Sequence, residues 1–385
     1  MHKKEIRTQK NSIEEKKPLD FILLITVLML LALGIVMVLS ASSPSALSDW
    51  GNSFYYVERQ AGCAVIGLIL MFIISRIDYR KYKMLYKLAY IGSIILSLMV
   101  VIPNVGVSVN GATRWIKIGI QFQPSEIAKI GLIIFYAAYL TNHKDELKEL
   151  WRGFFKPFIY LIPIIGILLL LQNHLSASII IILVTAVMMI LAGTKIKYFL
   201  TFGTAGAIGG IGLLVILAQK IDEWAFRLSR ITSFLNPWED IRDDSWQIVQ
   251  SLYAIGSGGL FGVGLGASKQ KYSYIPEPHN DFIFAILAEE LGFVGCLVVI
   301  VLFGIFIWRG ILIAIKAPDM FGSLLAGGIT ALIGLQAIIN IAVVTSSIPV
   351  TGMALPFFSY GGTSLIILLC SVGILFNISR QGNKL

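Results

Sequence analysis

The chain has 385 residues, 56% of them hydrophobic and only 14% charged, with a mean hydropathy of +0.81. Soluble domains carry roughly 25% charged residues. The composition therefore excludes a soluble globular protein, a disordered chain and a coiled coil, and predicts a polytopic membrane protein. A net charge of +9 would suggest nucleic acid in a soluble chain. Here it is a topology signal, and no nucleic-acid partner is expected.

A basic tail, residues 1–18, carries Lys3, Lys4, Arg7, Lys10, Lys16 and Lys17. Residues 19–380 then read as one all-α transmembrane domain. A bilayer core needs about 20 apolar residues per helix. Ten stretches qualify: 19–42, 60–75, 86–103, 124–141, 157–171, 176–193, 198–219, 281–308, 320–344 and 361–379. The first continues through Ser40-Ala41-Ser42 into a polar loop, which argues against a cleaved signal peptide. The fifth and sixth are joined by Gln172-Asn173-His174-Leu175, the length of a hairpin turn. With both termini cytoplasmic, 21 of the 31 Lys and Arg fall inside, and the short outer loops hold only Arg59, Arg114 and Lys117. That asymmetry sets the expected orientation. A large extracytoplasmic loop, about 220–280, separates spans seven and eight. Its Trp224, Trp238 and Trp246 predict a folded segment on the outer face. Cys63, Cys296 and Cys370 lie in apolar runs without metal-ligand spacing and read as structural thiols.

A charge at mid-bilayer costs at least about 3 kcal/mol, so the charges that persist mark places of interest. Glu126 and Lys129 stand three apart in span four, either as a self-neutralising pair or as the polar wall of a cavity. Pro124 suits that helix's first turn. Just before it, Trp115 reads as an interface anchor, and Arg114 as a diphosphate clamp or a structural contact. Asp281 opens span eight after Pro276-Glu277-Pro278-His279-Asn280. A helix N-terminus favours its ionised form, and an ordinary cap is the plainer reading. His279 could carry a proton, touch phosphate or serve as a structural group. Glu289 and Glu290 follow roughly 12 Å deeper, paired with an inward Lys or Arg or acting as a proton relay. The glycine-rich run from Gly256 to Gly266 fits neither a Walker loop nor a dinucleotide fingerprint. Close packing or a re-entrant bend explains it better. Pro356 to Ser364, including Ser359, reads as the broken start of the last span, lining a cavity.

These motifs together resemble the SEDS family (shape, elongation, division and sporulation), which includes FtsW, RodA and SpoVE. The matching stretches are Asn110 to Ile116, Gln123-Pro124-Ser125-Glu126 with Lys129, Pro276 to Glu290, Gln336 with Asn340, and Ile348 to Gly362. Ala317-Pro318-Asp319 and the Pro-Val-Thr-Gly run are similar to the FtsW/SpoVE branch. Two departures stand out. The family's Gln-Pro-Asp-x-Gly-Thr turn is Gln172-Asn173-His174-Leu175-Ser176-Ala177 here, and its His-Thr-Asp is His279-Asn280-Asp281.

The resemblance implies a peptidoglycan glycosyltransferase of the cytoplasmic (inner) membrane, serving cell division, sporulation or cell shape. It would polymerise lipid II on the outer face, with Asp281 as general base, inversion at MurNAc C1 and undecaprenyl diphosphate as leaving group. Arg114 is the first candidate to meet the leaving group's charge, ahead of Lys117, Lys129, Lys269 and Lys271. Trp115, Glu126, His279 and Ser359 complete the expected substrate site. No metal-ligand cluster is visible in the sequence, although a divalent cation would suit a diphosphate. The implied partner is a class B penicillin-binding protein. Two rival functions fit the same residues: a lipid II flippase using Glu126, Lys129, Glu289 and Glu290 as a polar path, and a non-catalytic division scaffold recruiting through its tail.

Overall fold

A computed structural model describes residues 18–109, 112–218, 234–238, 245–272 and 274–382. The basic tail, Asn110-Gly111 of the outer hairpin, and Asp222, Glu223, Trp224, Arg227, Arg230, Glu239, Asp240, Arg242, Asp243 and Asp244 of the long loop lie outside the described residues.

The helices follow the apolar runs. They are α1 (Phe21–Trp50), α2 (Tyr55–Ile74), α3 (Tyr86–Leu98), α4 (Pro124–Asn142), α5 (Lys156–Gly166), α6 (Leu175–Ala192), α7 (Ile196–Ala218), α8 (Trp246–Gly258), α9 (Ile283–Lys316), α10 (Met320–Val344) and α11 (Gly362–Gln381). Wide π turns over Trp151–Phe155 and Ile167–Leu171 extend α5 at both ends. Among the described residues, seven helices are long and apolar enough to cross a membrane: α1, α2, α5 with its extensions, α6, α9, α10 and α11. Phe21, Ile69, Leu88, Ile162, Leu200, Phe293 and Ile315 all stand exposed on helix surfaces. Such a belt suits lipid, since a soluble monomer does not tolerate large contiguous apolar patches.

Local chemistry fixes the helix ends. Asp20 accepts the Leu23 N–H over 3.0 Å, and Asp319 accepts the Gly322 N–H over 2.7 Å, two side-chain caps. Pro124 occupies the first turn of α4, where its missing N–H costs nothing.

Three expectations need correction. First, α1 does not stop at Ser42 but runs through Pro44 to Trp50. The Ser42 hydroxyl donates back to Val38 O over 2.7 Å, and Ser45 to Ser42 O over 3.0 Å, so these polar side chains are satisfied within the helix. Second, the protein is not purely helical. Gly106–Val109 (β1), Ala112–Ile118 (β2) and Ile120–Phe122 (β3) form an antiparallel sheet in the order β1-β2-β3. Val107 pairs with Trp115 and Lys117 with Gln121. Strands this short leave no long apolar period in the sequence.

Third, α9 runs to Lys316 and is broken at Gly292, where φ is 66° and ψ −166°. The glycine-rich segment after α8 fills the break. Val263 and Gly264 donate to the carbonyls of Glu289 and Glu290 over 3.0 and 3.1 Å. Phe293 and Val294 donate back to Gly259 O and Leu260 O over 2.9 and 3.1 Å. The backbone groups released by the break thus find partners in protein, as an intramembrane interruption requires. A Cβ on Gly292 would collide with Gly262 N, which explains glycine on both sides of the junction.

Candidate active site

Asp281 lies at the start of α9, partly exposed. The three consecutive carbonyls leading into the helix are each held from a different direction. Tyr360 N donates to His279 O over 2.9 Å. Ser359 Oγ donates to Asn280 O over 2.8 Å while accepting from Leu355 N over 2.7 Å. Asn340 Nδ2, from inside α10, donates to Asp281 O over 2.7 Å and to Met353 O over 2.6 Å. The 353–361 segment is in turn tied to α2, because buried Gln60 donates to Ser359 O and accepts from Gly361 N. The Asp281 backbone is therefore fixed by α2, α10 and the approach to α11.

The carboxylate lies beside Gly352. Gly352 has φ +67°, a left-handed backbone that favours glycine, and a Cβ there would lie 3.3 Å from Asp281 Oδ2 and press the carboxylate aside by a few tenths of an ångström. Ser176 Oγ donates to Thr351 O and joins this loop to the start of α6.

The expected cations are distributed unequally. Arg114 reaches the α5–α6 turn, donating from Nε to Gln172 O over 3.3 Å and from Nη2 to Asn173 O over 2.6 Å. Gln172 Nε2 anchors the same turn to Ser97 O over 2.8 Å. Lys129 is buried and bonded to Glu126 over 2.8 Å. His174 sits in the turn, its Nε2 3.4 Å from Gln123 Nε2. Burial, aided by the charges of Arg114 and Lys129, lowers its pKa to about 3, so it is neutral at physiological pH. Lys117 is exposed on the sheet and Trp115 half-buried in it.

Lys271 is committed elsewhere. Its buried ammonium lies 2.9 Å from Glu290 Oε1 and also donates to Gly266 O and Ser40 Oγ. Glu289 accepts from Lys269 N over 2.9 Å and Gln270 N over 3.3 Å. Both carboxylates fasten the 266–271 loop to α9. His279 packs against Tyr56 and Tyr360, with ring centroids 4.5 and 5.7 Å away. Burial lowers its pKa to about 4, so near neutrality it is an uncharged structural ring.

Sequence reasoning singled out Asp281, Ser359 and Arg114 but not the clamp Gln60, and it met Ser176 and Gly352 only inside motif stretches. Asn340 appeared only as a motif residue. The available signal was a polar side chain inside an otherwise apolar span, which must have a protein partner.

A multi-pass membrane protein with a carboxylate clamped at the mouth of a broken helix is the class these features define. A sequence profile of the FtsW/RodA/SpoVE family, described as "Cell cycle protein", matches residues 21–384, and the chain belongs to that family. It is 43% identical over 368 residues to "Stage V sporulation protein E" of Bacillus subtilis (strain 168), covering 94% of this chain and 97% of that one. It is 44% identical over 363 residues to "Probable peptidoglycan glycosyltransferase FtsW" of Geobacter sp. (strain M18), with the same coverage. Among solved structures, a chain from "Structural coordination of polymerization and crosslinking by a peptidoglycan synthase complex" superimposes with a TM-score of 0.76 at 28% identity, covering 94% of this chain and 98% of that one. The Thermus thermophilus rod shape determining protein RodA gives a TM-score of 0.67 at 27% identity, covering 95% and 98%.

Proposed function

We propose that this protein is a peptidoglycan glycosyltransferase of the cytoplasmic membrane that polymerises lipid II. The relatives' names support the activity. The observation that carries the mechanism is Asp281, partly exposed and held by three successive carbonyl contacts. Preorganisation of this kind is what a general base needs, because a small misplacement is costly in rate. Asp281 takes the proton from the acceptor sugar hydroxyl, which attacks the anomeric carbon of the donor. The C–O bond to the lipid diphosphate breaks with inversion, and the diphosphate leaves as an anion without needing a proton. Arg114 is taken to meet the developing charge of the leaving group, whereas Lys129 is already paired with Glu126 over 2.8 Å. Lys117 and Trp115 border the donor's approach.

In this reading residues 19–380 form one domain of ten spans. Both termini are cytoplasmic, and the Asp281 end, with the β-sheet, faces outwards. A class B penicillin-binding protein is the partner, a reading supported by the structurally similar chain's place in a synthase complex that coordinates polymerization and crosslinking. The test is polymerisation of labelled lipid II by the purified protein with its partner. Asp281→Asn should cut the rate by roughly 10²–10⁴-fold at unchanged melting temperature. Wild-type rates from that variant would remove Asp281 as the base, and no glycan from the wild-type complex would remove the enzymatic reading.

A further inference from the structure

α1 is longer than a hydrocarbon core requires. Asp20, at its start, is bound by Arg309 near the far end of α9, and the helix then runs 30 residues to Trp50 at the Asp281 end. At 1.5 Å per residue that is about 45 Å, against a core of about 30 Å and a bilayer of roughly 40–45 Å with its headgroups. Trp50 therefore reaches the aqueous edge of the bilayer.

There α1 and α2 build a stack of rings. Tyr55 lies flat against Trp50, with centroids 4.3 Å apart and planes 8° from parallel. The Arg59 guanidinium covers Tyr55 at 4.1 Å from its centroid. Two groups that close must occupy opposite faces of the Tyr55 ring. Trp50 is stacked from one side, and the residue is 57% exposed. Tyr56 joins this stack to the mouth of α9. Its ring stands 5.3 Å from Tyr55, 4.5 Å from His279 and 4.9 Å from Tyr360, and His279 precedes Asp281 by two positions. The charge of Asp49 also reaches His279. Asp49, Glu58 and Arg59 are exposed around the rings. The proton transfer at Asp281 uses none of these groups.

A rigid, flat apolar face with charged groups at its edge is suited to a pyranose ring. In β-linked sugars of gluco configuration the ring substituents are equatorial, so each ring face shows axial C–H groups. Their hydrogens carry slight positive charge and meet the negative face of an indole. Hydroxyl and N-acetyl groups at the sugar's edge can bond to carboxylates and a guanidinium. We infer that the open face of Trp50, backed by Tyr55 and Arg59, is a subsite for the glycan strand, where an N-acetylhexosamine stacks beyond the reacting unit. The inference rests on the polymerase reading above. A strand held there dissociates more slowly between additions, so the subsite sets product length.

Saturation-transfer NMR on the full-length protein in nanodiscs tests this with soluble, peptide-free GlcNAc–MurNAc oligosaccharides. These carry no diphosphate, so they bind without reacting. Wild type should bind them, and Trp50→Ala should weaken binding roughly fivefold, the scale of one stacked aromatic contact. Trp50→Phe, which keeps a flat face, should recover most of that. Trp151→Ala, at an exposed tryptophan of the opposite end, should bind like wild type. In polymerisation of labelled lipid II with the partner present, compared at equal lipid II consumption, Trp50→Ala strands should be shorter than wild-type strands. Unchanged binding by Trp50→Ala overturns the inference. So does an equal loss in Trp151→Ala, which would mean unspecific stacking on exposed rings. Loss of the partner from the Trp50→Ala complex with oligosaccharide binding intact also overturns it, since the stack would then be a protein contact. Oligosaccharide binding that depends on Trp50 in a wild type that makes no glycan would uphold the subsite and remove the polymerase reading alone. Should Trp50→Ala fail to fold, crosslinking wild type with a diazirine-bearing oligosaccharide decides. The label is expected within residues 47–59, and label confined elsewhere refutes the subsite.

Discussion

Asn340 spends both of its amide hydrogens on loop carbonyls, one of them Asp281's own. Asn340→Leu would leave two buried carbonyls without donors, at about 1–3 kcal/mol each. The expected outcome is a lower melting temperature together with a polymerisation rate at least roughly tenfold down, since the carboxylate's seat loosens. An Asn340→Leu protein that loses stability but keeps its full rate would show that Asp281 is positioned by its other contacts alone. The buried histidines give a pH signature. His279 stays neutral down to about 4 and His174 down to about 3, while in the unfolded chain both titrate near 6.5. Between those values the unfolded chain binds protons that the folded chain does not. Stability is therefore full above pH 6.5 and is lost as pH falls towards 4. From 6.5 to 4, at 1.36 kcal/mol per unit, His279 accounts for roughly 3 kcal/mol. Thermal melts at pH 7.5 and 5.0 should differ accordingly, and His279→Gln should roughly halve the difference, leaving the share of His174. A melting temperature indifferent to pH over that range would contradict the burial argument.

At the scale of elements, α9 and the glycine-rich segment form one unit because each satisfies the other's backbone. Gly292 combines φ 66° with ψ −166°, a region that only glycine occupies easily, and its missing Cβ admits Gly262. Gly292→Ala should cost more than about 3 kcal/mol, shown as lost folded yield. Gly304, in the same helix with open space around it, should accept alanine at no cost or gain up to about 1 kcal/mol. Equal tolerance at both positions would deny the break its structural role. The Lys271–Glu290 pair obeys a related logic. Lys271→Met strands a buried carboxylate and should cost about 3–5 kcal/mol, whereas Lys271→Met with Glu290→Gln should recover most of that loss. The sequence could show that Glu289 and Glu290 needed company, because isolated charges in a span are costly. It could not show that the partner lies in a loop nineteen residues upstream, nor that Gly292 breaks the helix, since the cause is another segment's backbone. The β-sheet was hidden for a different reason: three-to-seven-residue strands carry too little periodicity to register.

Across the whole molecule, the apolar runs were legible because spanning a bilayer is a local demand on composition, whereas the clamps on Asp281 join residues more than fifty positions apart. Orientation is the other global property carried by composition. The end away from Asp281 collects Arg76, Arg80, Lys81, Lys87, Arg309, Lys316 and Arg380, while the Asp281 end bears Arg59, Arg114 and Lys117. Basic residues in short loops resist translocation, so the richly basic end should face the cytoplasm and the site should face the periplasmic or cell-wall side. That assignment matters for the chemistry, because a carboxylate facing inwards could not act on sugars assembled outside. Single cysteines settle it, placed in a background where Cys63, Cys296 and Cys370 are replaced by serine or alanine. Asn52→Cys, exposed between α1 and α2, should react with a membrane-impermeant maleimide on spheroplasts. Lys81→Cys, exposed between α2 and α3, should react only after permeabilisation. The reverse pattern would turn the molecule over and place Asp281 in the cytoplasm, where strand synthesis at this site has no acceptor.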